Sequence, residues 1–361
     1  MAYEIDNLPL QDLMLPISRA TAALTRLDER LGRSPVGVGM VQRLHMQDAI
    51  ASMWLDGELV HLEDLVLHDA LMDSRTPSHA LTLAHAVLRM RRQIAGRRAN
   101  WAMSDTGLSQ LLGIDPTTPV APEPEPYIAS SEEGDPLAVG DPLLDDIDAL
   151  LARTDALLTG KVAARKQEPA RASLIYEDGW EEDERLKEWR ACFDATDRLP
   201  SLLRAAIMHD AWFSMEVVQR SPWIGRLLTA AFLREAGVGL NHLPTISLGL
   251  RNKRPDERRS PNRLIRLRTF FASIEEAAEA GMKEHDRLML AREQMQRKLK
   301  GRRSNSRLPQ LMEMVLANPL VSSQMVEKQL QVTGPGALKL IGDLNLREIT
   351  GRGRFRAWGI L

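Results

Sequence analysis

The stretch from residue 304 to residue 361 constrains the fold more strongly than any other part of the sequence. Three short segments there carry apolar residues at every third or fourth position, the spacing of helices that bury one face. These segments are 308–316, 323–330 and 336–344. Ser322 stands just before the second segment, where a hydroxyl can cap a helix. Apolar and polar residues then alternate over 346–350 and 354–358, with two glycines between these runs. The stretch therefore predicts three packed helices followed by a two-stranded hairpin.

This order of three helices and a basic hairpin resembles the winged helix-turn-helix, a DNA-binding fold. In that fold the third helix enters the major groove, and the hairpin, called the wing, contacts phosphates or the minor groove. The resemblance implies duplex DNA as the partner. It implies DNA-binding residues on the third helix and its approach (Thr333, Lys339, Asp343), on the wing (Arg347, Arg352, Arg354, Arg356) and just before the module (Arg302, Arg303). The polar face of the third helix is short, which predicts limited specificity or binding as a dimer.

Charge is distributed unevenly, although the formal net charge is only −2. Residues 99–152 contain no Lys or Arg and many acids, whereas Lys and Arg outnumber Asp and Glu from residue 251 onward. A basic region attracts polyanions even when the whole chain is nearly neutral, so the C-terminal third favours a nucleic-acid partner. Residues 115–141 are rich in Pro, acids and small polar residues, which predicts a linker or a long surface loop.

Several classes of protein are disfavoured by what the sequence lacks. No apolar run approaches the about 20 residues of a membrane span, and no basic segment followed by an apolar one marks a signal peptide. Cys192 is the single cysteine, which excludes an intrachain disulfide and a cysteine-cluster metal site. The spacing of the histidines fits no metal-ligand motif. We expect a cytoplasmic, nucleoid-associated protein without a metal or cofactor.

Residues 199–237 resemble the core of the Fic (filamentation induced by cAMP) family. In that family a helix leads into the loop HxFx(D/E)GNGRxxR, and a leucine-rich helix and a glycine follow. The framework matches here, but the catalytic loop does not. When the loop is aligned on Gly225 and Arg226, the histidine position is Met215, the metal-binding acid is Gln219, and Gly-Asn-Gly becomes Arg220-Ser221-Pro222. The general base, the magnesium ligand and the phosphate-binding glycines are thus replaced, which predicts loss of Fic catalysis.

Residues 52–57, SMWLDG, resemble the inhibitory motif (S/T)xxxE(G/N) of Fic proteins, with Asp56 in place of the glutamate. In that family the glutamate pairs with the second arginine of the catalytic loop. The resemblance therefore implies that Asp56 pairs with Arg226. The role of this pair would be structural, since no catalytic loop remains to be inhibited.

The chain as a whole resembles bacterial helix-turn-helix DNA-binding proteins of unknown role that are common on rhizobial-type plasmids. Residues 51–77 are the most characteristic part of that resemblance. We expect a mainly α protein, in which a Fic-like helical domain precedes a winged helix-turn-helix with a small β-hairpin wing. The expected regions are an N-terminal helical region with the inhibitory-like motif (1–114), an acidic Pro-rich linker or loop (115–141), a degenerate Fic-like core (142–303) and the DNA-binding module (304–361).

The expected function is DNA binding, most naturally in transcriptional regulation. The helical region would then supply dimerisation, binding of a protein partner or sensing of a signal. Two alternatives stay open on the sequence alone. One is residual nucleotidyl transfer by a diverged Fic site. The other is an antitoxin-like or scaffold protein, in which the winged helix binds only protein and the acidic segment contacts a basic partner.

Overall fold

The structure is a computed structural model that describes residues 3, 8–73, 76–113, 180–299, 306–350 and 356–360. Within these ranges the chain is predominantly helical, and a small three-stranded antiparallel sheet lies near the C-terminus. The expected mainly α fold with a small C-terminal β element is confirmed. The predicted acidic linker, 115–141, lies outside the described residues. None of the described helices is long and apolar enough to cross a membrane.

The first half of the helical region consists of helices joined by short turns. They are α1 (Leu10–Arg33), α2 (Gly37–Leu55), α3 (Leu62–Asp69), α4 (His79–Gly96), a 3₁₀ turn (Trp101–Met103) and α5 (Asp105–Gly113). Local sequence sets several of these bounds. Gly57 follows α2 at a φ of +89°, a backbone conformation that favours glycine. Ser78 caps α4 by accepting a hydrogen bond from the Leu81 N–H.

The second half begins at residue 180 and ends with the longest helix of the described chain. Its helices are α6 (Glu182–Asp194), α7 (Ser201–Ser214), α8 (Trp223–Glu235), α9 (Ile246–Arg251), α10 (Pro255–Arg258) and α11 (Arg263–Leu299). The middle of α8 is buried on every side, so this helix is the centre of the core. The 37-residue α11 packs along α1 and also against α9. The described helices on both sides of residues 114–179 therefore share one hydrophobic core.

Two buried carboxylates join helices that are distant in the sequence. Asp48 on α2 accepts a hydrogen bond from the fully buried Arg91 on α4, at 2.6 Å, and another from the Leu248 N–H on α9, at 2.8 Å. Asp28 on α1 accepts from the imidazole Nδ1 of His242, at 2.7 Å, and from the backbone N–H of Asn241. A buried charge is tolerated only when it is paired, so these contacts fix how α1, α2, α4 and α9 are arranged.

The C-terminal module contains three helices and three very short strands. They are α12 (Leu308–Ala317), β1 (Val321–Ser322), α13 (Ser323–Leu330), α14 (Gly334–Leu344), β2 (Arg347–Glu348) and β3 (Ala357–Gly359). The strand order is β1-β3-β2, with Trp358 of β3 opposite Val321 on one side and opposite Glu348 on the other. The sequence predicted only the hairpin, at 346–350 and 354–358. β1 is an addition to that prediction, and β2 and β3 are shorter than predicted.

Candidate nucleic-acid interface

Hydroxyl side chains set the start of both helices in the helix-turn-helix. The Oγ atom of Ser322 accepts a hydrogen bond from the Met325 N–H at 3.2 Å, which confirms the predicted cap of α13. Thr333 caps α14 in the same way, accepting from the Gly336 N–H at 3.4 Å. The third helix therefore begins at Gly334 and not at residue 336. Thr333, predicted to contact DNA, is exposed at the beginning of this helix and orients it.

Both helices end at a residue in the left-handed conformation. Gln331 follows α13 and Asn345 follows α14, each with a φ of 53°. Asparagine is among the non-glycine residues that adopt this conformation most readily. These two ends give the chain its sharp changes of direction on either side of α14, and so they place this helix at the surface of the module.

The two faces of α14 differ in charge and in burial. Ala337, Ile341 and Leu344 are buried in the module. Leu338, which is 47% exposed, and Lys339 lie on the outer face. Asp343, also predicted to contact DNA, is only partly exposed. Lys339 is the single cation on α14, so the outer face of this helix is only weakly basic.

Of the two wing arginines that the structure describes, one is exposed and the other is paired. Arg347 is exposed on β2. Arg356 donates two hydrogen bonds to Oε2 of Glu348, at 2.6 and 3.0 Å, and its guanidinium lies 5.2 Å from the centre of the Trp358 ring. The bond from Arg356 lowers the pKa of Glu348, which keeps this carboxylate ionised. The Glu348 carboxylate thus occupies Nε and Nη2 of Arg356 and offsets part of its positive charge. Arg302, Arg303, Arg352 and Arg354 lie outside the described residues.

The module is attached to the helical region through a buried arginine. Arg43 on α2 is 2% exposed, and its guanidinium donates to the backbone oxygens of Val315, Leu316 and Asn318, each at 2.7 Å. Carbonyl oxygens at the end of a helix have no partner within the helix, so Arg43 satisfies the end of α12. Burial lowers the pKa of Arg43 to about 10, and the side chain stays charged at neutral pH.

Two further cations, both on α11, hold other ends of the module. Nζ of Lys298 donates to the Leu344 oxygen at 2.7 Å, at the end of α14. Nη1 of Arg287 donates to the Ile360 oxygen at 3.0 Å, directly after β3. Glu284 lies between Arg287, at 2.7 Å, and Arg43, at 3.7 Å. The module is thus held by cations at three ends that carry carbonyl oxygens, and Lys298 holds the end of α14.

Asp56 and Arg226, predicted as a structural pair, lie 2.6 Å apart between Oδ2 and Nη2. The same Nη2 donates to Oγ of Ser52, at 2.9 Å, and to the Ser52 backbone oxygen, at 3.1 Å. Arg226 is 4% exposed, so the pair joins the end of α2 to the buried α8. All the donor contacts that this arginine makes here are directed at residues of the 52–57 motif.

The segment aligned with the Fic catalytic loop is occupied by packing residues. Met215 at the end of α7 is 8% exposed and belongs to the hydrophobic core. His209, one and a half turns earlier on α7, lies between the rings of Phe213 and Phe270, with centroids 4.7 and 5.1 Å away. Burial lowers the pKa of His209 to about 3, so its imidazole is neutral at physiological pH. The Fic-like resemblance itself stays a prediction.

Comparisons with known proteins identify a family for each of two segments of the chain. Residues 308–361 match the family described as an HTH DNA binding domain, and residues 174–300 match the family described as a protein of unknown function, DUF1612. The uncharacterized protein y4cF of Sinorhizobium fredii is 47% identical over 380 aligned positions, which cover 100% of both chains. The module is therefore a helix-turn-helix DNA-binding domain, and the relative is rhizobial, as the resemblance implied. The occurrence on plasmids stays a prediction.

Proposed function

The chain belongs to the same family as the y4cF protein of Sinorhizobium fredii, and we propose that it binds duplex DNA through its C-terminal module and regulates transcription. The observation that carries this proposal is the match of residues 308–361 to a helix-turn-helix DNA-binding domain. The capped α14, with Lys339 on its outer face, is the element that would enter the major groove. Among the described residues, Lys339 is the single cation of α14, and Arg356 of the wing is paired with Glu348.

We further propose that a specific site requires two copies of the chain. Helix-turn-helix dimers read two half-sites about one helical turn apart, which doubles the number of base and phosphate contacts. The weakly basic outer face of α14 favours this arrangement. Selection from a pool of random duplexes would yield the preferred sequence. Sedimentation of the selected duplex with the full chain would give the number of copies bound, and one copy on a non-palindromic site would contradict the dimer.

A salt series on the selected duplex tests DNA binding and the role of α14 together. The affinity of the wild type should fall steeply with salt, since phosphate contacts release counterions. The Lys339→Ala variant should bind about five- to tenfold more weakly, which corresponds to the loss of one base-edge or phosphate contact. Fluorescence anisotropy with labelled duplex measures both quantities.

Lys187→Ala is the matched control, because Lys187 is an exposed lysine on α6, outside the module. It should bind like the wild type. Absent or salt-insensitive binding by the wild type would reject DNA binding. An equal loss of DNA affinity in both variants would show that Lys339 on α14 contributes no more to binding than an exposed lysine outside the module.

We also propose that the helical region has no Fic-type nucleotidyltransferase activity. Met215 is a core residue where that chemistry needs a histidine, and Arg226 is engaged by Asp56 and Ser52. Incubation of the full chain with radiolabelled ATP and cell lysate should transfer no label to protein. Label that appears with the wild type and disappears with Arg226→Ala would overturn this proposal.

A further inference from the structure

A cavity of about 880 Å³ lies in the helical region, away from the helix-turn-helix. Its walls come from the end of α2, from α7 and from the segment between α9 and the first turns of α11. This volume is within the range of sites that bind small organic molecules. The lining includes apolar side chains from several elements, among them Trp54, Phe213, Leu250 and Leu267.

The arginines that line the cavity are of two kinds. Arg226 is paired with Asp56 at 2.6 Å, and Arg266 forms a two-pronged contact with Asp210 at 2.6 and 2.8 Å. Arg258 and its neighbour Arg259 have no carboxylate within salt-bridge distance among the residues that the structure describes. Glu216 is the remaining acid of the lining. The charge left over in the cavity is therefore positive and is concentrated at Arg258 and Arg259.

Arg258 is held in place in a setting that disfavours its charge. Its Nε donates to the Lys253 backbone oxygen at 3.1 Å, and its guanidinium lies 5.6 Å from the centre of the Trp54 ring. Burial lowers the pKa of Arg258, and the nearby charges of Arg259 and Arg226 lower it further. An anion placed beside Arg258 would offset both effects, since it would pair with the charge that burial and repulsion destabilise.

The other side chains of the cavity favour a ligand in which a flat apolar group is attached to that anion. Trp54 is 38% exposed at the cavity wall, where an aromatic ring can stack on it. His209 also lines the cavity, and its buried Nε2 has no hydrogen-bond partner within the described part of the chain. A buried polar atom without a partner is uncommon in a protein interior. A ligand that reaches His209 would supply one.

We propose that this cavity binds a small aryl carboxylate. Arg258 and Arg259 would hold the carboxylate, and the aryl body would lie against Trp54 and the apolar wall. A hydrated inorganic anion would leave that wall unused, which is why an organic anion is favoured over phosphate. This site does not depend on DNA binding, and its test does not use DNA.

Isothermal titration of the full chain with naphthalene-2-carboxylate tests the site. The wild type should bind it saturably, and naphthalene-2-carboxamide, which has the same shape without the charge, should bind at least about tenfold more weakly. Arg258→Gln should lose at least about tenfold in affinity for the carboxylate. Arg258→Lys should fall between Arg258→Gln and the wild type, since it keeps the charge without the planar fork.

Arg254→Gln is the matched control, because Arg254 is an exposed arginine in the same turn and pairs with Asp256. It should bind the carboxylate like the wild type. Thermal unfolding of each variant verifies that it is folded before titration. The proposal is overturned if the wild type binds neither probe, if carboxylate and carboxamide bind equally, or if inorganic phosphate binds as tightly as the carboxylate. It is also overturned if Arg258→Gln and Arg254→Gln behave alike.

Discussion

Several basic side chains of the helical region differ from those of the C-terminal module in their burial and in the groups they contact. In the helical region, Arg43, Arg91 and Arg226 are almost completely buried, and each donates to several oxygens. In the module, Lys339 and Arg347 are exposed. Buried cations of the first kind hold elements together and cannot reach a nucleic acid. Exposed cations such as Lys339 and Arg347 are accessible to a binding partner.

Because of this difference, the excess of Lys and Arg in the C-terminal third is not a direct measure of the charge available to a partner. Many of its cations are already paired within the chain. The pairs are Lys253–Glu276, Arg254–Asp256, Arg266–Asp210, Arg268–Asp12, Arg287–Glu284 and Arg356–Glu348. A count of Lys and Arg along the sequence therefore overstates the field that DNA would meet. Of the described basic residues of the module, Arg307, Lys328, Lys339 and Arg347 are exposed, whereas Arg356 is paired with Glu348.

The largest effect that tests this contrast is expected from Arg43→Ala. The change leaves the carbonyl oxygens of Val315, Leu316 and Asn318 without their buried donor. We expect the free energy of unfolding to fall by about 3–5 kcal/mol, since several buried acceptors lose their partner together. Urea denaturation measures the loss. Hydrogen exchange of the α12 amides should show where it occurs.

Arg33→Ala is the control for Arg43→Ala, because Arg33 is exposed at the end of α1 and pairs with Glu29 on the surface. It should change the free energy of unfolding by less than about 0.5 kcal/mol. The contrast also requires that folded Arg43→Ala binds DNA within about threefold of the wild type. A larger loss of DNA affinity would show that docking to the helical region shapes the interface itself.

A smaller effect is expected from Glu348→Gln on the wing. The change removes the carboxylate that engages Arg356, and it leaves this arginine available for a phosphate. DNA affinity at low salt should rise about two- to fivefold, and the slope of log affinity against log salt should steepen by about one. Fluorescence anisotropy over a salt series measures both changes.

Glu313→Gln removes the same charge from an exposed site on α12, outside the wing. It should change affinity less than Glu348→Gln, because it frees no arginine. If both variants bind DNA equally tightly, the gain comes from net charge alone, and Arg356 then does not act as a released contact.

Much of the module could be predicted from local sequence. The predicted cap at Ser322, the predicted second helix and the buried face of α14 agree with the structure, since helices and caps depend on residues within about four positions. α14 begins at Gly334, two residues before the predicted start, because the side chain of Thr333 caps the helix there. β1 was missed because two residues of strand have no pattern of their own. They form a strand only when β3 lies beside them.

In the helical region, too, some contacts could be predicted from the sequence and others could not. The juxtaposition of Asp56 and Arg226, which are 170 positions apart, was predictable only because both belong to motifs with a known resemblance. No motif joins Arg43 to the end of α12, which is 273 positions away. The cavity beside Arg258 likewise combines residues from α2, α7 and the segment before α11. No periodicity in the sequence brings these segments together.

The sequence by itself determined that the chain is mainly helical, that its last residues form a winged helix-turn-helix, and that a polyanion is the natural partner of that module. The tertiary structure decided which of the described cations are exposed and which are buried, paired or engaged with carbonyl oxygens. The physical reason is the range of the interactions. Helix periodicity and caps act between near neighbours along the chain, whereas the partner of a charge is set by whichever residues packing brings within about 4 Å.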